Sequence, residues 1–170
     1  MTAAPDRLEL RSALGRFATG VAIVTTLDGN GSPIGLTINS FSSVSLDPPL
    51  VLWSLVSTSH NLSAFRAAGR FAVNVLSHDQ ADLALRFARP VADRFGDALV
   101  QAGLGDLPLL SGALATIECD THEILAGGDH TIFMGRVKRV RQFHGQPLLF
   151  YGGRFAEMGA ARASRTLETA

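Results

Sequence analysis

The 170-residue chain is poor in several chemically decisive residues. It has one cysteine, one lysine, one tryptophan and one tyrosine. A single Cys119 excludes a disulfide framework and a multi-cysteine zinc site. Fifteen basic residues balance fifteen acidic ones, so the broad basic footprint of a nucleic-acid-binding domain is missing. The longest uncharged run, Pro48–Phe65, contains two prolines, four serines, Thr58, His60 and Asn61, too polar for a spanning helix. The opening residues lack the apolar stretch of a secretory signal. A cytoplasmic protein without membrane or nucleic-acid partners is the expectation. With 46% apolar and 18% charged residues, the chain is suited to one folded domain rather than disorder.

Catalytic signatures are also missing. Glycine pairs 29/31 and 103/105 fall in turns, not between a strand and a helix, so no dinucleotide fingerprint is present. There is no phosphate-binding P-loop, zinc-protease helix or nucleophile elbow. Cys119 and His122 are three apart on an expected strand and face opposite ways, which favours a buried core thiol over a metal site.

The patterning predicts a helix over 5–18 stopped by Gly20, with Leu10, Leu14 and Phe17 on one face. Strands are expected at 21–27 and 33–39 around an Asp28–Gly31 turn. Asp47-Pro48-Pro49 should break any ladder. Residues 50–55 read as a strand buried on both faces. Ser59 should cap a short helix ended by Gly69. A strand at 71–76 and a helix at 79–88 follow, then an irregular stretch over 89–112. Long strands at 113–125 and 131–143 flank a Gly127-Gly128-Asp129 turn, and a last strand covers 148–151. The tail from Gly159 should fray. About seven strands joined mainly by hairpins indicate one domain, 1–170, built as an antiparallel barrel with added helices.

Four polar clusters stand out. Thr37, Asn39, Ser40, Ser42, Ser43 and Ser45 offer short neutral donors that can hold a phosphate, or form an ordinary serine-rich turn. Ser54, Ser57, Thr58, Ser59, His60 and Asn61 precede a helix, as a cap or as an anion site. Gly127, Gly128, Asp129 and His130 form a turn whose histidine either contacts a ligand or faces solvent. Tyr151, Gly152, Gly153 and Arg154 place a guanidinium at a strand end, for a phosphate or for water.

In this order the clusters resemble the flavin reductase family. The resemblance rests on LGRFATGV (14–21), GLTINSFSSVSLDPPL (35–50), FAVNVL (71–76), Gly128-Asp129-His130 and LLFY (148–151), and spans about residues 8–156. It implies a homodimeric, antiparallel split β-barrel of the FMN-binding type. Such a protein uses NADH or NADPH to reduce FMN or FAD and supplies a separate monooxygenase. The likeness puts Thr37, Ile38, Asn39, Ser40, Phe41 and Ser42 along the flavin ring and ribityl chain. Ser45, Ser59, His60 and Asn61 go toward its phosphate, Trp53 and Ser54 near the ring, and Phe87 at its border. Gly128, Asp129, His130 and Tyr151–Arg154 fall on the nicotinamide side, with His130 positioning the nicotinamide. A non-catalytic flavin carrier, or a split-barrel oxidase of a small phosphorylated substrate, would use the same flavin residues.

The zero net charge is a sum of unlike segments. Residues 17–65 carry only Asp28 and Asp47, whereas 130–156 carry Arg136, Lys138, Arg139, Arg141 and Arg154 without an acid. The expected flavin-phosphate grip is therefore neutral and suited to exchange, and the dinucleotide side is positive, with Arg141 or Arg154 available to a 2′-phosphate.

Overall fold

A computed structural model describes residues 4–91, 93–98 and 100–159. In chain order the elements are α1 (Arg7–Leu14), β1 (Thr19–Gly20), β2 (Ala22–Leu27), β3 (Pro33–Ile38), β4 (Ser42–Leu46), β5 (Pro49–Val56), α2 (Leu62–Ala68), β6 (Arg70–Val75), α3 (Ala81–Ala88), β7 (Val100–Ala102), β8 (Pro108–Leu110), β9 (Ala115–Gly127), β10 (His130–Gln142), β11 (Leu149–Tyr151) and β12 (Arg154–Ala156). Every strand pairing among them is antiparallel.

The main sheet has the order β3-β2-β6-β9-β10-β5-β4. Its two edge strands, β3 and β4, are consecutive in the chain and are joined by Asn39, Ser40 and Phe41 alone. Three residues span only about 10 Å. The sheet must therefore roll until its edges meet, which makes it a split barrel. Alternation along the strands then sorts side chains to two sides. Val24, Ile38, Val51, Trp53, Leu55, Phe71 and Phe133 fill the interior, with Phe65 of α2 as a plug. Ile23 and Leu76 face outward under Ala84 and Phe87 of α3. The Trp53 and Phe133 rings stack 4.7 Å apart, and Phe65 and Phe71 meet Trp53 edge-on.

Several expectations are corrected. The first helix ends at Leu14, because Asp6 caps its start through the Leu8 and Glu9 amides and the chain leaves the helix at Gly15. Gly20 lies in β1 instead. None of the helix residues is buried. The Asp47-Pro48 pair does not end a ladder. It turns the β4–β5 hairpin, with Leu46 opposite Pro49, and a proline is tolerated as the first residue of a strand. β5 is buried on one face rather than two: Val51, Trp53 and Leu55 are buried and the residues between them are not. The stretch 89–112 holds the β7–β8 hairpin. Twelve strands are present among the described residues; six of the expected seven lie in the main sheet and the seventh is β11 of the small sheet, while β4 was not expected. The tail expected to fray lies, beyond Gly159, outside the described residues.

Outside the barrel wall, buried polar groups fix the segment 103–110. Asn74 donates to Ile23 O (3.0 Å) and Thr25 Oγ1 (3.2 Å) and accepts from Leu110 N (2.8 Å). Glu118, fully buried, takes both nitrogens of the Arg139 fork (2.5 and 2.8 Å) and the Leu104 N–H (2.5 Å). Burial opposes its charge, but the Arg139 hydrogen bonds, the Leu104 amide and the charges of Arg139 and Arg141 outweigh it and hold the carboxyl below its ordinary value. Burial pushes the Cys119 thiol up to about 12, in keeping with an inert core cysteine.

A folded-state carboxyl held low contributes stability above its unfolded value, and that contribution fades as pH falls through the folded value. Glu118→Gln should therefore cost about 1.5–3 kcal/mol at neutral pH, the worth of hydrogen bonds to a charged group. Its deficit against wild type should shrink in acid. Urea unfolding from neutral to acidic pH checks this; a deficit independent of pH would contradict it.

Candidate active site

The end of β5 organises the site. β4 accompanies β5 only as far as the Ser42–Leu52 pair. Beyond it, the Ser40 hydroxyl replaces the missing strand: it donates to Ser54 O (3.1 Å) and accepts from Ser54 N (3.0 Å). This exchange ties the barrel-closing link to β5 and brings the first polar cluster to the second. On the other side, β5 pairs with β10 up to Val56 opposite His130. The Ser57 amide then donates to Asp129 O (2.9 Å). The Ser57 and Thr131 hydroxyls lie 3.3 Å apart, and Arg66 Nη2 reaches Thr131 Oγ1 at 3.5 Å. So the second cluster also meets the Gly-Asp-His turn.

Within this surface Asn39 is exposed and Phe41 half-buried. The amides of Ser40, Phe41, Thr58 and His60 find no partner among the described residues, so they are open donors beside the hydroxyls. The exposed Ser42 hydroxyl bonds its neighbour Ser43 O. Ser59 does not occupy the helix cap. Asn61 does, and Ser59 Oγ accepts the Asn61 amide (3.3 Å). Asn61 is buried and lines a separate cavity of about 260 Å³ with Gly35 and Arg94. His60 is exposed.

Other expected residues are used elsewhere. Thr37 Oγ1 donates to Ala84 O (2.7 Å) and so docks α3 on β3. The Ile38 side chain lies in the barrel core. Trp53 is fully buried among Phe65, Phe71 and Phe133, which leaves no ring face for a ligand. Phe87, also buried, packs on Gly35; a Cβ there would stand 2.7 Å from the Phe87 ring. Ser45 is paired with Leu50 near the start of β5, at the opposite end from Ser57–Asn61.

At the β9–β10 turn Gly128 has φ +69°, a conformation that suits glycine. His130 Nδ1 lies 2.8 Å from Asp129 Oδ1. A carboxylate only accepts, so Nδ1 is the donor and a neutral ring offers Nε2 as acceptor. The His130 hydrogen bond and charge, with a smaller contribution from Arg7, hold the Asp129 carboxyl below its usual range.

The fourth cluster is a hairpin, with Gly152 and Gly153 both at positive φ. The Gly152 amide donates to Gly15 O (3.0 Å), tying the turn to the end of α1. Tyr151–Arg154 line an open cavity of about 680 Å³ with Leu8, Arg11, Ser12 and Arg16. Arg11 and Arg16 escape a sequence reading because nothing local relates them to Arg154. Arg66 was missed for a similar reason: it stands just past the base-free stretch 17–65, and one helix returns it to the Ser57 loop. The positive stretch 130–156 is dispersed. Arg139 pairs with Glu118, Lys138 lies 3.6 Å from Asp120, and Arg141 sits near the far end of β10 from His130.

The closing link and the β5 end of this split barrel thus present open amides and hydroxyls beside a Gly-Asp-His hairpin. The description "Flavin reductase like domain" matches residues 14–159. The chain therefore belongs to the flavin reductase family. It is 50% identical over 132 residues to a probable flavin reductase of Rhizobium meliloti, covering 78% of this chain and 42% of that protein. It is 47% identical over 145 residues to an FMN reductase (NADH) of Agrobacterium fabrum, covering 85% and 82%. It superposes with a TM-score of 0.87 at 40% identity on a Streptomyces globisporus NADH:FAD oxidoreductase solved with NAD and FAD fragments, covering 94% and 96%. The chain thus spans less than half of some curated relatives it matches and most of others.

Proposed function

We propose that the chain oxidises NADH or NADPH, reduces FMN or FAD, and passes the reduced flavin to a separate monooxygenase. The carrying observation is the end of β5, where Ser40 on one side and Asp129 on the other bring the donor surface against the His130 turn. Relatives named as an FMN reductase and an NADH:FAD oxidoreductase support the same reading.

Bound flavin and nicotinamide supply the chemistry themselves, a hydride moving from nicotinamide C4 to flavin N5. The chain binds and orients. Asn39 and the Ser40 and Phe41 amides face the flavin's polar edge, where fixed donors favour negative charge. The Thr58 and His60 amides, with Arg66 nearby, hold its phosphate. Asp129 fixes the His130 ring, and Nε2 accepts from the nicotinamide carboxamide. Arg11, Arg16 and Arg154 offer charge to the dinucleotide phosphates. Stacking two rings in a reactive approach is the main protein contribution.

In this reading the chain works in the cytoplasm as a homodimer. Support for pairing is the uncovered apolar side chains Leu8 (79% exposed), Leu14 (66%) and Phe17 (78%) on or beside α1, and Leu46 (91%). Sedimentation should give a dimer, and Leu14→Glu should shift it toward monomer; an unassociated wild type would contradict pairing.

Activity is tested by mixing protein with each nicotinamide and each flavin and following nicotinamide absorbance. Oxidation must exceed the flavin-only control; none with any pair would overturn the proposal, and tight flavin binding without turnover would point to a carrier. His130→Ala should raise the nicotinamide KM about tenfold, the scale of one lost hydrogen bond, and leave flavin affinity unchanged. Unchanged kinetics would remove its role.

A further inference from the structure

A further cavity lies at the other end of the β9–β10 ribbon, away from His130. It encloses about 230 Å³ and includes Leu109, Leu110, Thr116, Arg141, Phe143 and His144 in its wall. The pairing register builds it. Asn74 of β6 stands opposite Thr116 of β9, and Thr116 opposite Arg141 of β10. Directly opposed residues share a sheet face, so these three form one row. Glu118 and Arg139 are the next pair on that face.

The row is unevenly satisfied. Asn74 has three hydrogen bonds. Glu118 and Arg139 are bonded to each other, and the carboxylate also accepts the Leu104 N–H. Thr116 is 3% exposed, and its hydroxyl is buried without a partner. A buried polar group left unpaired is costly. Arg141 forms no hydrogen bond or ion pair among the described residues. Its charge reaches Glu118, but Arg139 already occupies both carboxylate oxygens. The patch therefore carries one surplus positive charge beside one orphaned hydroxyl, and its wall also holds Leu109, Leu110 and Phe143 with Gln101, Ser111 and His144.

We propose that this cavity binds a small aromatic carboxylate. A single guanidinium matches a monoanion and takes a carboxylate in a two-pronged contact. The Thr116 hydroxyl supplies the next donor. Leu109, Leu110 and Phe143 take the ring, and the volume limits the ligand to one ring with its acid group. A bare phosphate would leave the apolar walls unfilled.

Benzoate is the probe, added to the full-length protein while amide chemical shifts are recorded. Saturable shifts are expected at Gln101, Leu110–Thr116 and Arg141–His144. Benzamide, of the same shape without the charge, should not produce them. Arg141→Met should weaken benzoate binding about tenfold or more. Thr116→Val should weaken it several-fold while its thermal unfolding matches or exceeds wild type, since the lost hydroxyl had no partner. No saturable shift in the wild type, equal binding of benzamide, tighter binding of inorganic phosphate, or an unchanged affinity in Arg141→Met would each overturn the site. Shifts confined to residues 39–42 and 57–61 would place benzoate in the flavin surface and also overturn it. The readout needs no nicotinamide turnover, so failure here is separate from failure of the reductase reading.

Discussion

Three residues, Asn39, Ser40 and Phe41, join the two edge strands of the main sheet. Their short reach forces the sheet to close on itself. Closure puts Trp53, Phe71 and Phe133 inside and gives α2 an interior to plug. The same link belongs to the proposed flavin surface. Ser40 bonds Ser54 through its hydroxyl, and the Ser40 and Phe41 amides have no partner among the described residues. Closure and the proposed recognition thus rest on one segment. A change there alters barrel and site together.

Electrostatics follow from where tertiary structure sends each charge, not from segment sums. The positive stretch 130–156 looks like one anion site in the chain. Folded, Arg139 is neutralised by Glu118, Arg141 faces another cavity, and Arg154 joins Arg11 and Arg16 from the far end of the sequence. The proposed flavin surface gains Arg66 through Thr131, so the donors there are not purely neutral, although most are amides and hydroxyls. Arg141 lies toward the far end of β10 from the His130 turn, whereas Arg154 shares a cavity with residues of α1.

The fold was largely legible because hairpins are local. Asp28–Gly31 and Gly128-Asp129 announce their turns by residue type, and both long strands appear within two residues of their expected ends. The order of the clusters was enough to suggest the family. What the sequence does not show depends on distant contacts. Trp53, expected near the flavin ring, and Phe87, expected at its border, are packed on Phe133 and Gly35. Thr37 looks like a ligand donor until α3 docks on it. Ser45 shares a motif with Ser42 but pairs with Leu50, at the other end of β5 from Ser57–Asn61. The apolar residues of α1 suggest a core helix, yet no partner for them exists within the described chain.

The central claim is that Asn39–Ser42 and Ser57–His60 form one flavin surface, with Gly128–His130 beside it. Amide chemical-shift mapping on addition of FMN, then of NAD⁺, tests this directly. FMN should move Asn39–Ser42 and Ser57–His60 most, and NAD⁺ should add shifts at Gly128–His130 and Tyr151–Arg154. FMN shifts concentrated elsewhere, with these two segments still, would contradict the account.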